Sequence, residues 1–159
     1  MRPRSETAEI PSVWTLDENP NCEETYVSLR LAGDALVPEE VERVTSLRSE
    51  FGAAKGELRR SRTGRETRQR TGVWGISSRG HVASTSVERH ILYLLEKVEP
   101  VKDKFLTVAR EQSATADFMC YWVRLADQGG PGVGPDTLRR ISELGAILWF
   151  DLYGPWGED

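Results

Sequence analysis

The pattern of apolar and polar side chains predicts four β-strands, at residues 25–34, 72–78, 116–126 and 146–153. In residues 25–34 apolar and polar positions alternate, which is typical of a strand with one buried face and one wetter face. Residues 116–126 are apolar on both faces, which favours a position in the interior of a sheet. In residues 146–153 one face is wholly apolar and the other carries Asp151 between two aromatic residues. We therefore expect this last strand to be covered on one face and partly covered on the other.

Apolar residues at helical spacing predict helices between these strands. Pro38 and Pro135 suit the first position of a helix, where the missing N–H is not needed. The longest helical pattern, residues 85–109, is interrupted by Pro100, which predicts one kinked helix or two abutting helices. Gly145 suits the position just after the last helix, where the backbone often turns left-handed.

The order of these elements predicts an α+β fold with a mainly antiparallel sheet and helices packed on one face. The closest common topology is a ferredoxin-like or split β-α-β arrangement. We predict a flexible N-terminal arm at residues 1–24, a single domain at residues 25–154 and a tail at residues 155–159. Within the domain, residues 52–71 have no apolar period, so we predict an Arg-rich mobile loop there.

Charge is unevenly distributed along the 159 residues, whose net charge is −4. From Lys55 to Arg70 seven cations face only Glu57 and Glu66, so this window carries +5 and the rest of the chain −9. Arg binds phosphates and carboxylates bidentately, so this window is a candidate site for an anionic partner. If about four of its cations met duplex phosphates, log K would fall with a slope of roughly −3.6 in log salt. The window has no aromatic residue on which a base could stack. The seven cations are Lys55, Arg59, Arg60, Arg62, Arg65, Arg68 and Arg70.

Several classes of protein are disfavoured by the composition. No apolar run approaches the roughly 20 residues that span a bilayer, and the N-terminus has no apolar stretch of a secretory signal. Cys22 and Cys120 have no metal-binding spacing, so we expect no metal, no cofactor and a location in the reducing cytoplasm.

Residues 129–134, GGPGVG, have the glycine spacing of a phosphate-binding loop between a strand and a helix. Pro135 and Asp136 stand where that motif requires Lys and Ser or Thr, so we interpret the segment as a flexible turn. His81 and His90 belong to no catalytic motif. We therefore assign no catalytic residue and favour a non-enzymatic function, with an enzyme kept as an alternative.

A second candidate site lies on one face of the predicted sheet. Asp151 and Tyr153 share a strand face with Trp149, and an arginine opposite them would complete a polar and aromatic pocket. The residues predicted for this site are Arg30, Trp74, Arg124, Trp149, Asp151 and Tyr153.

The order and spacing of several short motifs resemble the bacterial domain-of-unknown-function family 4279 over residues 26–153. The resemblance implies a small bacterial α+β domain, and it implies no activity. The motifs that carry it are Gly33-Asp34, Pro38-Glu39-Glu40, Lys55-Gly56-Glu57, Trp74, Leu94-Leu95, Leu144-Gly145, Asp151 and Tyr153.

Three functions follow as hypotheses. The first is a non-enzymatic protein-interaction domain, immunity-like or regulatory, because catalytic motifs are absent while charge is segregated and tryptophans are frequent. The second is a nucleic-acid-associated module that uses the Arg-rich window. The third is a small-ligand binder or enzyme on the open face of the sheet. A protein partner is the expected one, and a homodimer is an alternative.

Overall fold

The structure is a computed structural model that describes residues 13–125 and 127–154. The strands in these residues are β1 (Cys22–Gly33), β2 (Phe51–Ala53), β3 (Leu58–Arg60), β4 (Glu66–Arg68), β5 (Gly72–Ser77), β6 (Thr115–Arg124) and β7 (Ile147–Tyr153). The helices are α1 (Val13–Leu16), α2 (Pro38–Thr45), α3 (Val87–Val98), α4 (Lys102–Glu111) and α5 (Pro135–Glu143), and a 3₁₀ turn (Glu99–Val101) joins α3 to α4.

Five strands form the main sheet in the order β2-β5-β1-β6-β7. β1 is antiparallel to both of its neighbours, β5 and β6, while β6 and β7 are parallel. β5 and β6 therefore run in the same direction on either side of β1 and are connected through α3 and α4, which is a split β-α-β unit. The predicted α+β class and mainly antiparallel sheet are confirmed, and β6 is an interior strand as its two apolar faces predicted.

The helices pack on one face of this sheet. α3 contacts β1 and β6, α2 contacts β5, and α5 contacts β7. Side chains from both layers form one core, in which the ring of Trp74 on β5 meets Phe105 on α4 edge-on at 6.1 Å. Among the described elements, no helix packs on the opposite face, which we call the open face. Its side chains include Tyr26, Ser28, Arg30, Met119, Tyr121, Trp149, Asp151 and Tyr153.

Local chemistry explains where the helices begin and end. The side chain of Ser86 caps α3 by accepting the N–H of Arg89. Pro100 lies in the 3₁₀ turn between α3 and α4, which confirms the predicted interruption of the long helix. Gly145 follows α5 at φ +60°, a conformation that glycine adopts without steric cost. None of the helices in the described residues is long and apolar enough to cross a membrane.

The described part of the N-terminal region is folded, so the prediction of a flexible arm is wrong for residues 13–24. α1 packs against α3, and β1 begins within this region. Glu18 joins it to the body by accepting hydrogen bonds from the backbone N–H and the hydroxyl of Thr85, at 2.6 and 2.7 Å. Polar contacts of this kind leave no apolar period in the sequence. The rest of the predicted arm, residues 1–12, and the predicted tail, residues 155–159, lie outside the described residues.

The predicted mobile loop at residues 52–71 is also wrong, because β3 and β4 pair there as an antiparallel hairpin. We call residues 55–70 the basic hairpin. Its turn is closed by the N–H of Ser61, which donates to the carbonyl of Arg65 at 2.9 Å, and Gly64 takes φ +81°. Both faces of the hairpin are exposed, so its strands carry no apolar period that could have predicted them.

β7 is an edge strand, and its apolar side chains are more exposed than the sequence predicted. Its faces alternate as expected, but α5 covers the core face only in part. The expectation of a fully covered face is therefore wrong, because a strand at the edge has a neighbour on one side only. The exposed fractions are 46% for Ile147, 49% for Trp149, 38% for Phe150 and 58% for Leu152.

Candidate interaction site on the open sheet face

Three tyrosines from neighbouring strands form a row across the open face, and we call Tyr26, Tyr121 and Tyr153 the tyrosine row. Tyr26 and Tyr121 are opposite each other in the β1–β6 register, and their rings stack at 4.7 Å. The Tyr121 and Tyr153 rings follow at 5.1 Å. The guanidinium of Arg79 lies over the ring of Tyr26, 4.9 Å from its centre. The row therefore already binds one cation within the chain.

Asp151 lies at the β7 end of the row. Its carboxylate accepts a hydrogen bond from the hydroxyl of Tyr153 at 3.0 Å, and this bond is the first cause that raises the pKa of Tyr153. The pKa of Tyr121 is also raised, first by burial of its ring and then by the negative charge of Glu24. Both phenols therefore keep their protons at neutral pH. Trp149 shares this face with Asp151 two residues along the strand.

Arg30 lies on the open face, but it is not opposite Asp151 and does not complete the pocket predicted from the sequence. Its guanidinium binds both carboxylate oxygens of Asp117, at 2.8 and 3.1 Å, and Asp117 is itself nearly buried. Tyr26 is in register with Tyr121, and Tyr121 is in register with Asp151. Arg30 lies four positions further along β1 than Tyr26. That separation is roughly 13 Å along the strand, so an Arg30–Asp151 pocket does not form.

Two other predicted residues lie on the wrong face for this site. Trp74 is fully buried against Phe105 in the core, because its neighbours in register place it on the helix side of β5. Arg124 follows Trp122 by two positions and so shares the core face, and its guanidinium lies against Gly154 at the end of β7. Of the predicted set, the structure brings together Trp149, Asp151 and Tyr153.

Tyr26, Tyr121 and Arg79 also belong to the site, although the sequence did not predict them. Alternation placed each tyrosine on the wetter face of its strand, but only the register between β1 and β6 brings them together. Phe51 was missed as well. Its ring lies across Gly75, where an added Cβ would be 2.2 Å from the ring, so it borders the open face on the side of β2.

The basic hairpin presents a second charged surface. Four of its cations are held by intramolecular contacts, whereas Arg62, Arg65 and Arg70 make no ion pair with any described residue. Arg62 and Arg65 lie in the turn between β3 and β4, where both are exposed. The held cations are Lys55 on Asp34, Arg60 on Glu66 at 2.7 Å, Arg59 on the carbonyl of Gly52 and Arg68 on the carbonyl of Gly56.

The glycine loop before α5 has an internal carboxylate at the position where a phosphate-binding loop would hold an anion. The N–H of Gly134 donates to Glu88 Oε1 at 2.8 Å, and the hydroxyl of Thr15 donates to Glu88 Oε2. Glu88 is buried in the first turn of α3. Because Glu88 already accepts the N–H of Gly134, that donor is not available to a phosphate, in agreement with the interpretation that residues 129–134 are not a phosphate-binding loop.

His90 is part of a closed buried network. Its Nε2 lies 2.8 Å from the carbonyl of Ser84, which can only accept, so Nε2 carries the hydrogen. Nδ1 then accepts from the hydroxyl of Ser78 at 2.7 Å. Burial lowers the pKa of His90, which favours the neutral ring. Both side chains are buried, so this Ser–His pair joins α3 to the end of β5 and is not open to a substrate.

The two cysteines are free and buried, and burial raises their pKa to about 11 for Cys22 and about 12 for Cys120. Both therefore remain protonated and unreactive at neutral pH. In the part of the chain that the structure describes, no group of three or more His, Cys, Asp or Glu side chains is arranged to hold a metal ion.

Residues 23–155 match the family model described as Domain of unknown function (DUF4279). The chain belongs to this family. The match runs from β1 through β7, so the DUF4279 domain corresponds to the α+β fold described above, and the resemblance found in the sequence is confirmed. No curated protein and no solved structure matches the chain. The DUF4279 description names no activity, so a function must be argued from the surface itself.

Proposed function

We propose that this DUF4279 chain is a non-enzymatic protein-interaction domain, immunity-like or regulatory, that binds a basic segment of a partner protein on its open face. The observation that supports this proposal is the tyrosine row with Trp149 and Asp151 beside it, on a sheet face without helical cover among the described elements. Tyr and Trp are enriched where binding energy is concentrated in protein interfaces, because each supplies a large rigid contact area.

Charge favours a basic partner. The chain outside Lys55–Arg70 carries −9, and the exposed Glu24 shares the open face with Asp151. Arg79 on Tyr26 shows the contact that a partner's Arg or Lys can make with an aromatic ring of this face. Trp149 is half exposed and has a carboxylate two residues away, so it is the ring that we expect a partner cation to contact.

The proposed setting is the bacterial cytoplasm. The two cysteines of the chain are free and buried, which supports a reducing compartment because exported domains of this size often pair their cysteines.

The test is affinity purification from the native cell, with nuclease, using the wild type, Trp149→Ser and Asp151→Asn as baits. The matched control is Trp14→Ser, because Trp14 is 63% exposed on α1, away from the open face. We expect one stoichiometric protein on the wild type and the control, and at least about a tenfold weaker affinity for both site variants. A partner that binds the Trp149 and Asp151 variants as tightly as the wild type would contradict the proposal.

The second candidate function is nucleic-acid binding by the basic hairpin. Both the charge and the shape of the basic hairpin favour this function, because the major groove of DNA admits a two-stranded β-ribbon. Arg62 and Arg65 extend from the end of this ribbon without ion pairs in the described residues. The acidic remainder of the chain opposes this function, so it ranks second.

Fluorescence anisotropy with a short labelled DNA duplex tests this second candidate. We expect a log–log salt slope of roughly −3.6 for about four phosphate contacts, and a smaller slope for Arg62→Glu with Arg65→Glu. Arg48→Glu with Arg110→Glu, at two exposed sites outside the hairpin, is the charge-matched control. Binding that is absent, or equal in the control and the hairpin variant, removes this candidate.

A further inference from the structure

In the described part of the chain, β7 has a pairing partner on one side only. Within residues 13–125 and 127–154 it is hydrogen-bonded to β6 and to no other strand, so its outer backbone groups face away from the sheet. Natural edge strands are usually protected by lysines, prolines, bulges or short length. β7 has seven residues, ILWFDLY, with no proline, no lysine and a single charge at Asp151. Such an edge is expected to be covered in the working form of a protein.

We infer that β7 pairs with β7 of a second copy of this chain, antiparallel and about a two-fold axis at Phe150, so that two five-stranded sheets join into one of ten strands. This inference does not require the partner protein proposed above, because it uses the edge of the sheet and not its face. A two-fold interface brings the same patch of both copies together, so β7 must be complementary to itself.

The residues of β7 meet this requirement in one register. With Phe150 opposite its own copy, all seven residues pair and each keeps its face. On the core side Leu148 then faces Leu152, so apolar side chains meet apolar side chains. On the open side Trp149 faces Asp151, and the two Asp151 carboxylates are diagonal neighbours roughly 7–8 Å apart. Each carboxylate also has its hydrogen bond from Tyr153 within its own chain.

Exposed apolar surface at this edge favours a second copy as its cover. The four exposed apolar side chains of β7 are each about half exposed. With roughly 200 Å² for each such side chain, they expose about 400 Å² per copy, and pairing covers the part that faces the other strand. The two copies together bring about 800 Å² of such surface to the edge, and the backbone of both strands adds to the contact.

Pairing would also change the open face. Because Trp149 of each copy lies opposite Asp151 of the other, two Trp–Asp pairs meet at the centre of the ten-stranded sheet. A partner would then find two adjacent aromatic and acidic positions in place of one, which is a larger and symmetric docking surface.

The first test is the molar mass of the purified full chain, measured by light scattering over a dilution series. We expect twice the 17.9 kDa of one chain for the wild type. Leu152→Lys should weaken the dimer at least about a hundredfold, because it places an ammonium group of each copy in the apolar contact. The matched control is Leu58→Lys on the basic hairpin, since Leu58 is 55% exposed and far from the axis, and it should remain a dimer. A wild type with the mass of one chain, or a Leu152→Lys variant that stays dimeric, overturns the inference.

The second test reports the register. Phe150→Cys places two thiols on strands whose opposite Cα atoms are about 4.5–5.5 Å apart, within the range of a disulfide. Mild oxidation should link two copies of this variant and should not link Leu58→Cys. Cys22 and Cys120 are buried with raised pKa values, so they do not compete. If Phe150→Cys does not cross-link while the wild type is a dimer, the two-fold axis is elsewhere and the register is wrong.

The two proposals can fail separately. A monomeric wild type that still loses its partner in Asp151→Asn leaves the interaction function standing and removes only the dimer. A dimer that depends on Leu152 but has no partner at the open face leaves the dimer standing and removes only the interaction function.

Discussion

Glu88→Ala removes a buried carboxylate that joins three elements of the fold. In the wild type this carboxylate accepts the N–H of Gly134, which caps α5, and the hydroxyl of Thr15 on α1, from its place in the first turn of α3. In the variant the N–H of Gly134 loses its acceptor in a buried place, and α1 loses one of its attachments to α3. We therefore expect the change to lower the free energy of unfolding, although Glu88 is a charged residue.

The size of the effect follows from the two hydrogen bonds. A buried donor left without an acceptor costs about 1–3 kcal/mol, and loss of the bond to the Thr15 hydroxyl adds about 1 kcal/mol. The expected loss is about 2–4 kcal/mol, which corresponds to a drop in Tm of roughly 5–15 °C for a chain of this size. Glu88→Gln keeps the volume and one acceptor oxygen, so it should lose about half as much.

Equilibrium unfolding in urea, followed by tryptophan fluorescence, measures this difference. The control is Glu96→Ala, because Glu96 is exposed on the same helix, α3, and its replacement should change the free energy of unfolding by no more than about 0.5 kcal/mol. Equal unfolding midpoints for Glu88→Ala and Glu96→Ala would refute the reasoning, since they would mean that the buried carboxylate contributes nothing.

Two further predictions concern single side chains. Hydrogen bonds from Thr85, first among the causes, lower the pKa of Glu18 from 4.5 to about 2, so its contribution is present above about pH 4.5 and is lost as the pH falls towards 2. Because Glu18 is exposed and its charge is screened, we expect it to contribute only about 1 kcal/mol to the free energy of unfolding. The difference in urea midpoint between wild type and Glu18→Gln should therefore vanish at pH 2, and a difference that is unchanged at pH 2 contradicts this. Gly75→Ala should displace the ring of Phe51 and lower the free energy of unfolding by about 1–3 kcal/mol. The control, Gly130→Ala, has open space around the added methyl group and should be neutral, and equal effects of the two changes would refute the steric argument.

The elements with a strong apolar period could be predicted from the sequence. The interruption of the long helix at Pro100 and the interior position of β6 both followed from local patterns, because each pattern reflects burial within the same chain. The basic hairpin could not be found in this way. Its strands bury no face, and what forms it is the turn chemistry of Ser61 and Gly64, a weaker signal than hydrophobic alternation.

The candidate site was predicted only in part, because a site on a sheet depends on register. Trp149, Asp151 and Tyr153 belong to one strand, so alternation alone placed them on one face. Tyr26 and Tyr121 come from strands more than ninety residues apart in sequence and meet only because β1 pairs with β6. The apolar pattern of β7 predicted cover that the described part of the chain supplies only in part, because a sequence pattern does not say whether cover comes from the same chain.

The central position of β1 has a consequence for the synthesis of the protein. β1 pairs with strands made much later: Ser28 lies opposite Ser77, and Val27 lies opposite Cys120. At about 5–20 residues per second, the ribosome needs roughly 5–20 s to make the stretch that separates Val27 from Cys120. During this time Leu29 and Leu31 have no complete sheet to pack in, and α3 and α4 are made only towards its end. We expect the nascent chain to be a chaperone client in that interval, and to fold more slowly than a helical bundle of equal length.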